Sequence, residues 1–218
     1  MRENVIARVL DRKIIAIVRG ADEAKILPLA EALFKGGIVM IEITFNQKNP
    51  ESCSATACSI EAIRKQFGND VYAGAGTVLT IEQLYMARDS GAMYIISPNT
   101  DINIIAKTRE LGLVSMPGAM TPSECMAAHN AGADFIKLFP LGELGPGYFK
   151  ALKAPLSHLR FLGVGGIDDK NIPEYLAAGI DGFGIGGGLV DKNLLGSNDF
   201  SKITETAVRY VKAVSGVK

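Results

Sequence analysis

Short apolar runs alternate with longer, partly polar segments along the whole chain. The runs are rich in β-branched residues and several end in glycine or proline, which is typical of strands buried on both faces of a parallel sheet. We predict eight strands, at residues 13–19, 40–45, 71–78, 94–98, 113–118, 134–140, 160–166 and 182–190.

The segments between these runs have the amphipathic pattern of helices. They cover residues 3–12, 22–36, 50–67, 101–111, 121–132 and 168–178, and further helices end at residues 91 and 154 or begin near residue 200. We expect Asp22 to cap a helix that bends or restarts at Pro28, and residues 141–147, rich in glycine and proline, to form a loop. The run Thr121–Glu124 has the capping-box pattern of a helix start.

Strand-then-helix units recur throughout the sequence. There are eight of them, about 20 to 30 residues apart, without a linker, a low-complexity segment or a change in composition. This count predicts a single α/β domain over residues 1–218, a (β/α)8 TIM barrel rather than a doubly wound sheet. In such a barrel the chemistry lies at the C-terminal ends of the strands and in the loops that follow them.

The balance of charge argues against a strongly charged partner. The chain has 23 basic and 23 acidic residues without long blocks, so neither nucleic acid nor an anionic membrane is expected to bind. No apolar run approaches membrane-spanning length, and the N-terminus lacks the pattern of a signal peptide. Cys53, Cys58 and Cys125 have no metal-site spacing and favour free thiols. We therefore expect a cytoplasmic protein whose partner is a small molecule.

The sixth predicted strand carries a lysine at its centre. Because side chains alternate along a strand, Phe135, Lys137 and Phe139 face one way, while Ile136 and Leu138 face the other. Lysine is seldom buried without a partner, and loss of solvent lowers its pKa, which favours the neutral amine that attacks carbonyls. Lys137 is therefore either a Schiff-base nucleophile or a structural lysine paired with an acid.

A glutamate lies inside the apolar run of the second strand. Residues 41, 43 and 45 form the row that faces the helices, so Glu42, Thr44 and Asn46 are expected to face the barrel axis. Glu42 and Lys137 are then either an ion pair in the core or an acid–base group beside a nucleophile. We favour the second reading, because replacing a buried ion pair with apolar residues is often neutral or stabilising.

Glycine-rich strand ends suggest a seat for an anion. Gly165 and Gly166 end the seventh strand, and Gly186 and Gly187 end the eighth, where barrels of this type commonly bind phosphate through backbone N–H groups. We expect a helix beginning at Asp168 to add its dipole. The alternative is that these glycines only permit tight packing.

One arginine and two histidines complete the candidate residues. Arg19, at the end of the first strand, either holds a substrate carboxylate or phosphate or lies in solvent. His129 and His158 fall away from strand ends and no metal-ligand cluster is spaced correctly, so no metal is expected. No nucleophile elbow or dinucleotide fingerprint is present, which gives no support for a serine hydrolase or a nucleotide cofactor.

Several of these runs together carry a family resemblance. The sequence resembles the KDPG/KHG aldolases, class I pyruvate aldolases that cleave 2-keto-3-deoxy-6-phosphogluconate or 4-hydroxy-2-oxoglutarate, over about residues 5 to 210. The matching motifs are Glu42–Thr44, Gly74–Leu79, Ile96–Pro98, Phe135–Pro140 and Gly165–Ile167.

The resemblance implies a homotrimer of barrels that needs no metal or other cofactor. It implies that Lys137 forms the Schiff base, that Glu42 is the general acid and base, and that Thr77 lies beside the pyruvate carboxylate. It implies phosphate at Gly165 and Gly166. Pro98 and Pro117 match prolines that line the pocket in relatives, and this transfer is weaker than the others.

Three positions depart from the phosphogluconate-cleaving relatives. Asn46 stands where those relatives have an arginine that holds the substrate carboxylate, Val164 where they have threonine, and Gly187 where serine is usual. Asn46 and Val164 instead resemble the phosphogalactonate-cleaving branch. The reaction is therefore implied more firmly than the choice among the two phosphorylated acids and 4-hydroxy-2-oxoglutarate. A phosphate-binding isomerase or synthase and a non-catalytic sugar-phosphate-binding protein are the alternatives.

Overall fold

A computed structural model describes residues 1–49 and 52–216, which fold as a barrel of parallel strands surrounded by helices. The strands are β1 Ile14–Val18, β2 Met40–Thr44, β3 Tyr72–Gly76, β4 Tyr94–Ile96, β5 Val114–Met116, β6 Gly118–Ala119, β7 Ile136–Leu138, β8 Phe161–Val164 and β9 Gly182–Ile185. The helices are α1 Arg2–Arg12, α2 Glu23–Lys35, α3 Cys53–Phe67, α4 Ile81–Asp89, α5 Ile102–Glu110, α6 Pro122–Asn130, α7 Leu141–Lys153, α8 Ile172–Ala177, α9 Lys192–Gly196 and α10 Phe200–Ser215.

The barrel closes through a strand that is split in two. The predicted fifth strand appears as β5, which pairs with β4, and β6, which pairs with β7. Pro117 separates the two parts, since proline has no N–H to donate to a strand ladder. The eight predicted strands therefore correspond to the nine observed in the described residues, and the predicted TIM barrel is confirmed.

The alternation of side chains along the strands is as predicted. Met40 of β2 and Phe135, just before β7, belong to a cluster inside the barrel, whereas Ile41, Ile43 and Ile136 pack outward against the helices. Helix α1 adds apolar side chains to the inner cluster and thereby closes one end of the barrel: Val5, Ile6 and Val9. The other end, at the C-terminal ends of the strands, is open to solvent and contains the candidate site.

Two helices differ from the prediction near their prolines. Helix α2 continues through Pro28 instead of restarting there, with Asp22 as its N-cap. Residues 141–147 are not a loop throughout: α7 begins with a helical turn at Leu141, and Gly145, whose φ of 77° is not helical, separates this turn from the helix that continues to Lys153. Gly142 donates to the Gly165 carbonyl at 2.7 Å, which fastens this first turn onto the turn after β8.

One helix boundary and one whole helix also differ from the prediction. Helix α8 begins at Ile172 and not at Asp168, because the Asp168 carboxylate accepts from the N–H groups of Lys170 and Asn171 at 2.9 and 3.0 Å and forms a turn. Helix α9 is absent from the prediction. Helix α3 starts at Cys53, and its predicted start at Pro50 lies outside the described residues. The capping box of Thr121 and Glu124 is confirmed at α6.

Three cysteines are free in the fold: Cys53, Cys58 and Cys125. Cys125 is buried, and loss of solvent raises the pKa of its thiol to about 11, which makes this thiol unreactive. Among the helices of residues 1–49 and 52–216, none combines the length and the apolar composition needed to cross a bilayer.

Candidate active site

Lys137 is the middle residue of β7 and is only 7% exposed. Its backbone N–H donates to the Pro117 carbonyl at 2.8 Å, and its ammonium nitrogen lies 5.3 Å from the centre of the Phe139 ring. Burial lowers the pKa of Lys137; the charge of Glu42 opposes this shift and that of Arg19 adds to it. The strand therefore places an amine with an increased neutral fraction at the floor of a cleft.

Glu42 is the middle residue of β2 and is 1% exposed. Burial raises the pKa of its carboxyl group, while the positive charges of Lys137 and Arg19 oppose the rise. Within the described residues, Oε2 of Glu42 has no hydrogen-bond partner, and neither has the buried hydroxyl of Thr44 on the same inward row. Buried polar atoms normally have partners, so these two oxygens retain a hydrogen-bonding capacity that the described residues do not use.

Glycine in β3 makes room for this carboxyl group. A Cβ atom added at Gly76 would lie 1.7 Å from Oε1 of Glu42, far inside contact distance. At Gly74 an added Cβ would meet the ring of Tyr94 at 2.2 Å, and Tyr94 in turn donates its hydroxyl to the Tyr72 carbonyl at 3.3 Å. The glycines of β3 thus leave the space that the side chains of Glu42 and Tyr94 occupy.

The opposite directions of the two pKa shifts have a chemical consequence. Burial in the same barrel interior favours a neutral amine on Lys137 and a protonated carboxyl group on Glu42. A nucleophile needs its lone pair, and an acid–base group needs a pKa nearer to the working pH than that of a free carboxyl group. Both shifts are in the direction that these two roles require.

A cleft with two lobes opens above the pair. The larger lobe has a volume of about 900 Å³ and the smaller about 740 Å³, and both are lined by Arg19 and Thr77. Asn46 and Thr44 line the smaller lobe. The remaining predicted residues found in the larger lobe are Lys137, Pro98, Gly165, Gly166, Gly186 and Gly187.

Two predicted residues lie in the wall of the barrel rather than in the lining of either lobe. Glu42 lines neither lobe, and its carboxyl group interacts with the site through the charge of Lys137. Pro117 is buried, and its contribution is the carbonyl that fixes the backbone of Lys137. The structure therefore brings the proposed catalytic and anion-binding residues to one end of the barrel.

The turn after β8 needs glycine both for its positive φ values and for its close contacts with neighbouring residues. Gly165 and Gly166 have φ values of 83° and 71°, and an added Cβ would approach the Phe139 ring or the Gly142 backbone at 3.0 Å. The helix dipole expected from Asp168 is missing, because residues 168–171 form a turn before α8. Asp168 instead lines the larger lobe.

The sequence prediction missed several cleft residues. Lys192 lines both lobes, and Gln47, Lys48 and Lys25 line the smaller one. Lys25 donates to the carbonyls of Leu195 and Gly196 at 2.8 and 3.1 Å and so fastens α2 to α9. Lys192 had one sequence signal: it follows the glycine-rich end of the eighth strand, where a cation reaches the usual phosphate seat.

Known proteins resemble this chain over most of its length. A family model described as KDPG and KHG aldolase matches residues 5–206. The chain is 34% identical over 208 residues to the "Probable 2-dehydro-3-deoxy-6-phosphogalactonate aldolase" of Rhizobium meliloti (strain 1021), covering 95% of both chains. It is 32% identical over 203 residues to the "2-dehydro-3-deoxy-phosphogluconate aldolase" of Haemophilus influenzae, covering 92% of both chains.

Solved structures of the same family also resemble this chain. The KDPG aldolase of Legionella pneumophila, whose structure holds pyruvate captured at low pH as a covalent carbinolamine intermediate, superposes with a TM-score of 0.83. The two sequences are 28% identical, and the superposition covers 93% of this chain and 96% of that one.

Proposed function

Because the chain belongs to the KDPG and KHG aldolase family, it is a carbon–carbon lyase, and we propose that Lys137 is its Schiff-base nucleophile and Glu42 its general acid and base. The observation that carries this assignment is the burial of both residues, with Lys137 at the floor of the larger lobe and Glu42 in the barrel wall beside it. Among the described residues, Oε2 of Glu42 has no hydrogen-bond partner, which leaves it available for proton transfer.

The proposed reaction begins with the neutral amine of Lys137 attacking the C2 carbonyl of a 2-keto-4-hydroxy acid. Glu42 moves the protons that turn the adduct into a carbinolamine and then release water to leave an iminium ion. Loss of the C4 hydroxyl proton breaks the C3–C4 bond, whose electron pair flows to the iminium nitrogen. An aldehyde departs, C3 of the enamine is protonated, and hydrolysis releases pyruvate and the free amine.

For the substrate, we propose a six-carbon keto-deoxy acid with a 6-phosphate. Its carboxylate lies near Thr77, Asn46 and Arg19, and its phosphate lies near the glycine turns of the larger lobe. Val164 and Gly187 offer no hydroxyl there. Because each hydrogen bond to a charged group is worth roughly 1.5–3 kcal/mol, the missing hydroxyls weaken the binding of the phosphate without abolishing it. Lys192 supports the assignment, because its ammonium group supplies a charge beside the same glycines.

We also propose that the protein is a cytoplasmic homotrimer. Exposed apolar side chains follow successive barrel positions near the open end, and they suit a surface that a second copy covers: Leu79, Ile102, Met120 and Leu144. The free thiols support a reducing compartment. Light scattering after size exclusion tests the trimer, and a monomer at micromolar concentration would contradict it.

The test of the catalytic assignment is borohydride reduction in the presence of pyruvate. We expect a single three-carbon adduct on Lys137, located by peptide mass spectrometry, together with loss of activity. Lys137→Met removes the adduct, whereas Lys65→Met, on exposed α3, keeps it. An adduct on another lysine, or none, contradicts the proposal, and inhibition by a chelator that a divalent metal reverses would point to a metal-dependent aldolase instead.

The test of the substrate is the ratio of kcat/KM for the 6-phosphorylated acid and its unphosphorylated analogue, which measures differential transition-state stabilisation. We expect a ratio of roughly ten or more, equivalent to about 1.4 kcal/mol. Lys192→Gln should lower the ratio, and Lys65→Gln should not. A ratio near one, or a preference for 4-hydroxy-2-oxoglutarate, would show that the glycines serve packing alone.

A further inference from the structure

Thr77, in the wall shared by both lobes, has an unusual backbone conformation. It directly follows β3, and its φ of 55° lies in the left-handed region. A β-branched residue rarely adopts this conformation, because its Cβ substituents crowd the backbone, and such a residue persists only when its surroundings hold it. The residues around Thr77 must therefore hold its backbone in this conformation.

The peptide unit between Thr77 and Val78 is held at both ends. The N–H of Val78 donates to the Ile96 carbonyl at 3.2 Å, which ties this end to β4. The carbonyl of Thr77 accepts from Nε2 of Gln47 at 2.7 Å, which ties the other end to the loop after β2. On the preceding side, the Gly76 carbonyl accepts from the N–H of Phe45 at 2.9 Å.

A second glutamine holds the first. Nε2 of Gln83 donates to Oε1 of Gln47 at 3.1 Å, and Oε1 of Gln83 accepts from the N–H of Leu79 at 2.8 Å. Gln83 lies in the first turn of α4 and is 8% exposed, whereas Gln47 is exposed at the rim of the smaller lobe. The two amides thus connect the loop after β2, the turn after β3 and the start of α4.

We propose that Gln47 and Gln83 form an amide clamp that keeps Thr77 in its left-handed conformation and so sets the affinity for the carboxylate of the keto acid. Both are positioning residues, since the clamp acts through Thr77. This inference rests on the proposed aldolase function, in which Thr77 lies beside that carboxylate. Gln83 does not line either lobe, so its effect on binding can pass only through the clamp.

The experiment compares Gln47→Met, Gln83→Met and the double variant with wild type. Methionine keeps the length of glutamine and removes its amide without adding charge. The measured quantities are the pyruvate concentration that gives half-maximal borohydride trapping, and kcat and KM with the full substrate. Gln66→Met, an exposed change on α3, is the matched control, and thermal unfolding followed by circular dichroism verifies that each variant is folded.

We expect each single variant to raise the half-maximal pyruvate concentration and KM about tenfold with kcat within about twofold, the pattern of lost ground-state binding. The double variant should be no worse than the singles, because both changes break one unit. Gln66→Met should match wild type. If Gln83→Met does not fold, Gln83→Glu replaces it. This variant keeps an acceptor for the N–H of Leu79 and for Nε2 of Gln47, which lies 3.4 Å from Oε1 of Gln83, but it cannot donate to Oε1 of Gln47, so KM should rise less than in Gln47→Met.

Three results would overturn the clamp. A rise in Gln47→Met alone would mean that Gln47 touches the substrate directly. Unchanged values in both singles would mean that Thr77 is held by the strands alone, and additive effects would mean that the two amides act separately. Failure of wild type to be trapped by pyruvate would instead contradict the proposed function, so the two failures are distinguishable.

Discussion

Two buried carboxylates in this barrel have opposite surroundings. Asp134, just before β7 at the closed end, is 8% exposed and is fully engaged: Arg2 forms an ion pair with it, and the Ser115 N–H donates to it at 3.0 Å. Glu42, at the open end, is 1% exposed and has an unpartnered oxygen. The first arrangement is that of a structural acid, and the second is the one expected of the catalytic acid that we propose.

The contrast shows how to separate structure from chemistry inside one fold. Asp134 and Lys137 are three residues apart, yet one side chain is satisfied within the protein and the other faces a cleft. A buried group that contributes only stability is expected to have its hydrogen bonds made. A group whose pKa is shifted by burial and whose bonds are unmade is a candidate for function.

The largest expected effect comes from Glu42→Gln. It keeps the shape of the side chain and removes its ability to transfer protons, so kcat should fall roughly a hundredfold or more, the usual range for a general acid–base group. Steady-state kinetics measure the fall, and thermal unfolding should change little, because the carboxyl group makes no satisfied ion pair to lose. Turnover near that of wild type would assign Glu42 to the same structural class as Asp134.

Asp134→Asn should produce the reverse pattern. Removing one partner of a buried ion pair costs about 3–5 kcal/mol, and the partial exposure of Arg2 reduces this to about 2 kcal/mol, seen as a lower midpoint of urea unfolding. At a temperature where the variant is folded, kcat should remain within about twofold. A large fall in kcat without destabilisation would show that the comparison between the two acids is wrong.

A smaller effect is expected from Arg19→Gln on the pH dependence. The charge of Arg19 lowers the pKa of Lys137, so its removal raises that pKa, and less amine is neutral at a given pH. The acidic limb of kcat/KM, which reports the group that must lose its proton in the free enzyme, should move to higher pH. Lys65→Gln removes a remote charge and should leave the limb in place; a shift to lower pH contradicts the assignment.

Features set by local sequence could be predicted, and those set by distant contacts could not. The rows of β2 and β7 followed from alternation, and the cap at Thr121 from its four-residue pattern. The first turn of α7 depends on the bond from Gly142 to Gly165, more than twenty residues away, which no local pattern reports. The same holds for the site: Lys137 and Glu42 stood out as charges in apolar runs, whereas Gln47 is an ordinary polar residue whose position only the fold reveals.

The space that Gly76 leaves for Glu42 has a consequence for evolution in the laboratory. Since any Cβ at position 76 would collide with that carboxyl group, the two positions share one volume, and a mutant library that enlarges residue 76 alone must displace Glu42. Shortening the acid to aspartate does not remove the collision, because the added Cβ also lies 2.6 Å from Cγ of Glu42. Residues 42 and 76 must therefore be varied together when this barrel is engineered for a new substrate.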